Sequence, residues 1–148
     1  MYNCVFMKSK LIFLALSLIP LITWSCSKPM TEGGFNYKHV YVLDGDNLVD
    51  AQNFVISFSN KAESATLTIV SPGKLSAFPT DYPKQCDWLS VNISEEIGSY
   101  DFGKYSYNQQ DITFSVSQNT GHARNTKITV LSSKYDGYAA VFNIKQAK

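Results

Sequence analysis

Beyond its first 25 residues the chain alternates apolar and polar side chains with a period of two, in short runs separated by turn residues, and this confines it to β architecture. In Phe54-Val55-Ile56-Ser57-Phe58 the residues Phe54, Ile56 and Phe58 share a face, as do Ala65, Leu67 and Ile69 in the next run. Ile112, Phe114 and Val116 alternate with Thr113, Ser115 and Ser117. Ile128 and Val130 alternate with Lys127 and Thr129, and Ala140, Phe142 and Ile144 with Val141, Asn143 and Lys145. Turn chemistry lies between the runs at Asp44-Gly45-Asp46-Asn47, Ser71-Pro72-Gly73, Pro79 to Pro83, Asn119-Thr120-Gly121 and Asp136-Gly137. No helical period is sustained and no repeat recurs. With Tyr37 to Leu43 and Leu89 to Ile93 the count is about seven strands, which predicts an all-β, immunoglobulin-like antiparallel sandwich over residues 36–148. Two places resist the pattern. Both faces of Tyr37 to Leu43 are apolar, and Trp88 falls on the face opposite Leu89, Val91 and Ile93 unless a bulge precedes Leu89.

The first 25 residues follow a different rule. Lys8-Ser9-Lys10 feeds the apolar stretch Leu11 to Ile22, too short for a bilayer span of about 20 residues and suited to a secretion signal, with Met7 the better start. Thr23-Trp24-Ser25-Cys26 then precedes the polar run Ser27 to Gly34. This resembles a relaxed form of the lipobox of bacterial lipoproteins. The resemblance implies removal of residues 1–25, diacylglycerol on Cys26, a flexible tether over 26–35, and a membrane held through the lipid anchor. An ordinary signal peptide with an incidental cysteine is the alternative. The residues after Cys26 are not acidic, and the expected address is the outer membrane, at its periplasmic face or the cell surface. The signal holds Lys8 and Lys10 of the 13 basic residues and no acid, so the remaining 123 residues carry 11 bases against 12 acids. Such a balance excludes a polybasic nucleic-acid binder. Three cysteines and two histidines in all (Cys4, Cys26, Cys86, His39, His122) supply neither a disulfide framework nor a zinc cage, and Cys86 is expected as a lone thiol.

Four segments carry a family resemblance. Asp87-Trp88-Leu89-Ser90-Val91, Ile112 to Gly121, Arg124-Asn125-Thr126-Lys127-Ile128-Thr129-Val130 and Phe142-Asn143-Ile144-Lys145-Gln146-Ala147 resemble the BACON domain of Bacteroidetes proteins. The shared pattern is a Trp-Leu-x-Val strand, a strand ending in Asn, an Arg opening the next strand, and a closing x-Ile-x-Gln. The resemblance covers about the last 60 residues and implies an immunoglobulin-like sandwich. It also implies the role suspected for that family, holding glycans or mucins, often beside glycan-degrading enzymes. Its signature residues Trp88, Asn119, Arg124 and Gln146 read mechanically as scaffold. Asn119 suits a turn needing a left-handed residue, Arg124 can tie a loop to carbonyls, and Trp88 offers a large surface to bury.

Residues that would carry chemistry are sparse. Asp44 to Asp50 has the look of a calcium loop but places Leu48, Val49 and Val55 where an EF-hand needs an oxygen ligand, Gly and Glu, so a turn is the expectation and no metal site is assigned. His122 has no nucleophile tied to it, and His39 is read inside a strand. Glu95 and Glu96, adjacent on a strand, point to opposite faces. No catalytic residue and no cofactor is assigned. Tyr100, Phe102, Tyr105 and Tyr107, interleaved with Asp101, Lys104, Ser106 and Asn108 in a loop or edge hairpin, are the candidate ligand residues, because aromatic faces flanked by amides and acids suit sugars. The same rings can instead cap an open sheet edge. Two functions follow: a non-enzymatic, lipid-anchored module binding glycan or glycoprotein, or a structural spacer or interaction subunit of an envelope complex that binds no sugar.

Overall fold

The computed structural model describes residues 38–80, 86–134 and 139–148. The expected signal over 1–25, Cys26 and the tether over 26–35 lie outside these residues, as do Asp81 to Pro83 and the Asp136-Gly137 turn. The described residues form nine strands and no helix: β1 (Tyr41–Asp44), β2 (Asn47–Asp50), β3 (Val55–Phe58), β4 (Glu63–Ser71), β5 (Leu75–Pro79), β6 (Leu89–Phe102), β7 (Tyr105–Val116), β8 (Arg124–Ser132) and β9 (Ala139–Gln146). They make a five-stranded sheet in the order β2-β1-β4-β7-β6 and a four-stranded sheet in the order β3-β9-β8-β5. Every pairing is antiparallel except β3 with β9. The trios β4-β7-β6 and β9-β8-β5 reproduce the B-E-D and G-F-C connectivity of immunoglobulin domains, and the β1-β2 hairpin widens the first sheet.

The alternating runs close the core between the sheets. Ile69, Ile112, Phe114, Val130, Phe142 and Ile144 are fully buried there, with Leu67, Ile56, Phe58 and Ile128 beside them. Phe114 and Phe142 meet across the sandwich with ring centroids 5.5 Å apart and tilted 38°, and the Phe54 centroid lies 5.9 Å from that of Phe142. The apolar double face of the first strand has a direct explanation. Val42 joins this core, while Tyr41, its chain neighbour, joins a second cluster with Leu48, Val70 and Tyr107 on the opposite side of the same sheet.

Two strands escape the sequence reading. Asn47 to Asp50 is too short for its alternation to register and follows directly on turn residues; Gly45, at φ 57°, makes the reversal that lets β2 pair back on β1. In β5, Leu75, Ala77, Phe78 and Pro79 are all half-buried, a pattern without a clean period of two. His39 precedes β1 instead of lying within it; its Nδ1 stands 2.8 Å from Asp50 Oδ2 and ties the chain entering β1 to the end of β2. Glu95 and Glu96 do not alternate as expected. Register shifts between Ile93 and Gly98 interrupt β6 there, and both carboxylates are exposed.

Candidate functional site

The aromatic segment is the end of the β6-β7 hairpin. Phe102 pairs with Tyr105 and Tyr100 with Tyr107 around the tight reversal at Gly103 (φ 58°) and Lys104. Directly opposed residues share a face, and Tyr105 and Tyr107 are two apart, so all four rings stand on one side of the ribbon. That side follows from β7. Gln110, Ile112, Phe114 and Val116 point into the sandwich, which puts Tyr105 and Tyr107 on the outer face of the five-stranded sheet, in line with Val70 and Tyr41. β4 stops pairing at Ser71 with Asn108, so the hairpin runs on past its neighbour. Tyr107 is 2% exposed and belongs to the second cluster. Tyr100, Phe102 and Tyr105 pack around it half-buried, with Tyr105 and Tyr107 centroids 6.3 Å apart and Lys104 Nζ 5.3 Å from the Tyr105 ring. The structure thus assembles the four candidate residues, and it corrects their roles: Tyr107 is core and offers no ligand face.

Farther along β4 and β7 the outer face is polar. Ser64 Oγ donates to Ser115 Oγ at 2.7 Å, the Thr66 and Thr113 hydroxyls meet at 2.9 Å, and Thr68 donates to Asp111 at 2.7 Å. These are opposed pairs of β4 and β7, a ladder on the same face as the rings, with the Val70–Gln109 pair between the two.

The four signature residues meet at the other end of the sandwich. Arg124, paired in register with Gln146, donates through Nε to Gln146 Oε1 at 2.8 Å and through Nη2 to the Ser117 carbonyl at 2.8 Å. Gln146 Nε2 in turn donates to the carbonyls of Ser117 and Lys61 at 2.9 and 3.1 Å. Asn119 Nδ2 donates to the carbonyls of His122 and Ala147 at 2.8 and 2.7 Å, and its Oδ1 accepts the Gly121 amide. The Arg124 guanidinium lies 4.7 Å over the Trp88 ring, and the Ser117 amide donates to the Trp88 carbonyl at 2.9 Å. Trp88 is in the turn before β6, half-buried at the end of the main core, so no bulge is needed to turn it inward. Asn119 departs from the expected left-handed turn: among the described residues other than glycine only Asn53 has a positive φ. Asn119 works through its 95% buried side chain, which supplies loop carbonyls and amides with partners they would otherwise lose to burial. These bonds tie Lys61, Ser117, Arg124 and Gln146, from four segments of the chain, to one another.

A cleft of about 310 Å³ opens between β5 and β6, the edge strands of the two sheets, lined chiefly by Phe78, Pro79, Cys86, Leu89, Val91 and Ile128. Cys86 is a free thiol, and burial, opposed by a hydrogen bond with the Thr126 side chain, holds its pKa above the ordinary thiol value. Alkylation of Cys86 should therefore be slow at neutral pH and rise with a midpoint above that of a free thiol. A midpoint at or below the free-thiol value, measured from iodoacetamide rates against pH, would contradict this environment.

No family model matches the chain, and no curated protein matches it. Among solved structures it is similar to a Bacteroides ovatus GH5 xyloglucanase in complex with a XXXG heptasaccharide, at 14% identity over 73% of this chain and 18% of that one, with a TM-score of 0.46. It is also similar to zebrafish RET cadherin-like domains 1 to 4, at 14% identity over 74% of this chain and 34% of that one, with a TM-score of 0.40. The chain spans about a fifth and a third of the lengths of these two.

Proposed function

We propose that this chain is a non-enzymatic binding module of the cell envelope, anchored by lipid on Cys26 and taking glycan or glycoprotein ligands on the outer face of its five-stranded sheet. One observation carries the reading. The half-buried rings of Tyr100, Phe102 and Tyr105 stand on the same face as the hydroxyl ladder of Ser64, Thr66, Thr68, Thr113 and Ser115, with the Val70–Gln109 pair between them. Sugars present apolar C–H faces together with hydroxyls, and a ring edge beside ordered hydroxyls matches both. Asp111 adds a carboxylate acceptor to the same strip.

The test is a glycan array read with the intact protein and with Tyr100→Ala and Thr113→Val. Each variant should lose about tenfold or more of any binding, on the scale of one aromatic contact or one buried hydrogen bond, while its thermal midpoint stays close to that of the parent. Tyr107→Ala should instead lose stability. An array with no signal, or one whose signal ignores both variants, rejects the site. In the same preparations the wild type should partition into detergent and Cys26→Ala should not; a water-soluble wild type of unmodified mass rejects the anchor.

A further inference from the structure

The edge strand β6 points to a second interaction surface, independent of the glycan reading. β6 is 14 residues long, whereas the other three edge strands, β2, β3 and β5, have four, four and five. Long open edges are sites for strand addition unless they are blunted. Here the interruption falls only in the middle, where the register shifts between Ile93 and Gly98. It is a built feature. Gln110 Nε2 donates to the Ser94 carbonyl at 2.9 Å, and the Ser94 hydroxyl accepts the Asp111 amide at 2.9 Å. Leu89 to Ile93 before it remains a regular strand, paired with β7 on one side alone among the described residues.

That regular stretch borders the cleft of about 310 Å³ between β5 and β6. A strand added beyond Leu89 to Ile93 would continue the five-stranded sheet. Its alternate side chains would enter the cleft against Phe78, Leu89 and Val91, the combination of backbone pairing and side-chain pocket by which sheet edges capture peptides. Charge selects the occupant. From Cys86 to Gly103 the chain carries Asp87, Glu95, Glu96 and Asp101 and no basic residue, although the whole chain has 13 bases against 12 acids. Ile97, 54% exposed between these acids, adds an apolar contact where a merely protected edge would carry charge. A second copy is disfavoured, because antiparallel pairing centred on Val91 would set Asp87 against Glu95 of the other molecule.

We infer that the β6 edge docks an extended, basic segment of a partner polypeptide, with apolar side chains in the β5–β6 cleft and lysine or arginine near Glu95 and Glu96. The probe is an end-capped nonapeptide alternating valine with lysine, offered to the full chain, with the valine–glutamate peptide as its counterpart. The lysine peptide should slow amide exchange across Leu89 to Ile93 and slow alkylation of Cys86, each by about tenfold, and the glutamate peptide should do neither. The double variant Glu95→Lys/Glu96→Lys, altered at two exposed positions so that the fold is kept, should abolish both effects. The inference is overturned if the lysine peptide leaves both rates unchanged, if the glutamate peptide protects equally, if the double variant is still protected, or if the chain alone is a dimer with β6 already protected.

Discussion

Gln146→Ala is expected to destabilise the protein by about 3 kcal/mol, a large share of the roughly 5 to 15 kcal/mol available to a domain of this size. The side chain is 2% exposed and makes three hydrogen bonds, accepting from Arg124 Nε and donating to the Lys61 and Ser117 carbonyls. Truncation leaves the carbonyl of Lys61 short of its side-chain donor, deprives the Arg124 guanidinium of one of its acceptors and opens a gap where a 2% exposed side chain had packed. The change reaches four segments at once, because Lys61 precedes β4, Ser117 follows β7, Arg124 opens β8 and Gln146 closes β9. Urea unfolding should show the midpoint fall with little change in slope. A loss below about 1 kcal/mol would mean that the network is ornamental and that the end of the sandwich is held by backbone pairing alone.

Trp88→Ala should be nearly as damaging, at about 2 to 3 kcal/mol. A fully buried Trp lost to Ala costs about 3 to 5 kcal/mol, and this one is half-buried against the main core. The Arg124 stack at 4.7 Å adds a coupling of about 0.5 to 1 kcal/mol, which a double-mutant cycle of Trp88→Ala with Arg124→Ala would read directly. The two predictions are linked. Arg124 is clamped from one side by Gln146 and covers Trp88 with the other, so Gln146→Ala should also shift Trp fluorescence toward the red. A stable Trp88→Ala protein that has lost glycan binding would overturn the scaffold reading and move the ligand site to this end of the molecule.

The Arg124 and Gln146 network also bears on how far the residues speak for themselves. The all-β class, the sandwich and the core faces of β3, β4, β7, β8 and β9 are legible in the sequence, because each buried face repeats every second residue and each run is bounded by residues that favour turns. That Arg124 reaches a loop carbonyl is legible for a different reason: a guanidinium has few ways to be satisfied in a small sandwich. What the pattern could not show is which distant strands become neighbours. Tyr41 and Tyr107 lie 66 positions apart, and only the β1-β4-β7 order puts both on one outer face, where Tyr107 became core instead of ligand platform. The β6 bulge was equally hidden, since a register shift depends on the facing strand and leaves no mark on the alternation of its own; Gln110 and Ser94, 16 residues apart, hold it. Local periodicity is a property of one strand and is written in that strand. A face, an edge or a knot is a property of several strands, and its energy arises only when the chain has closed the loops that bring them together.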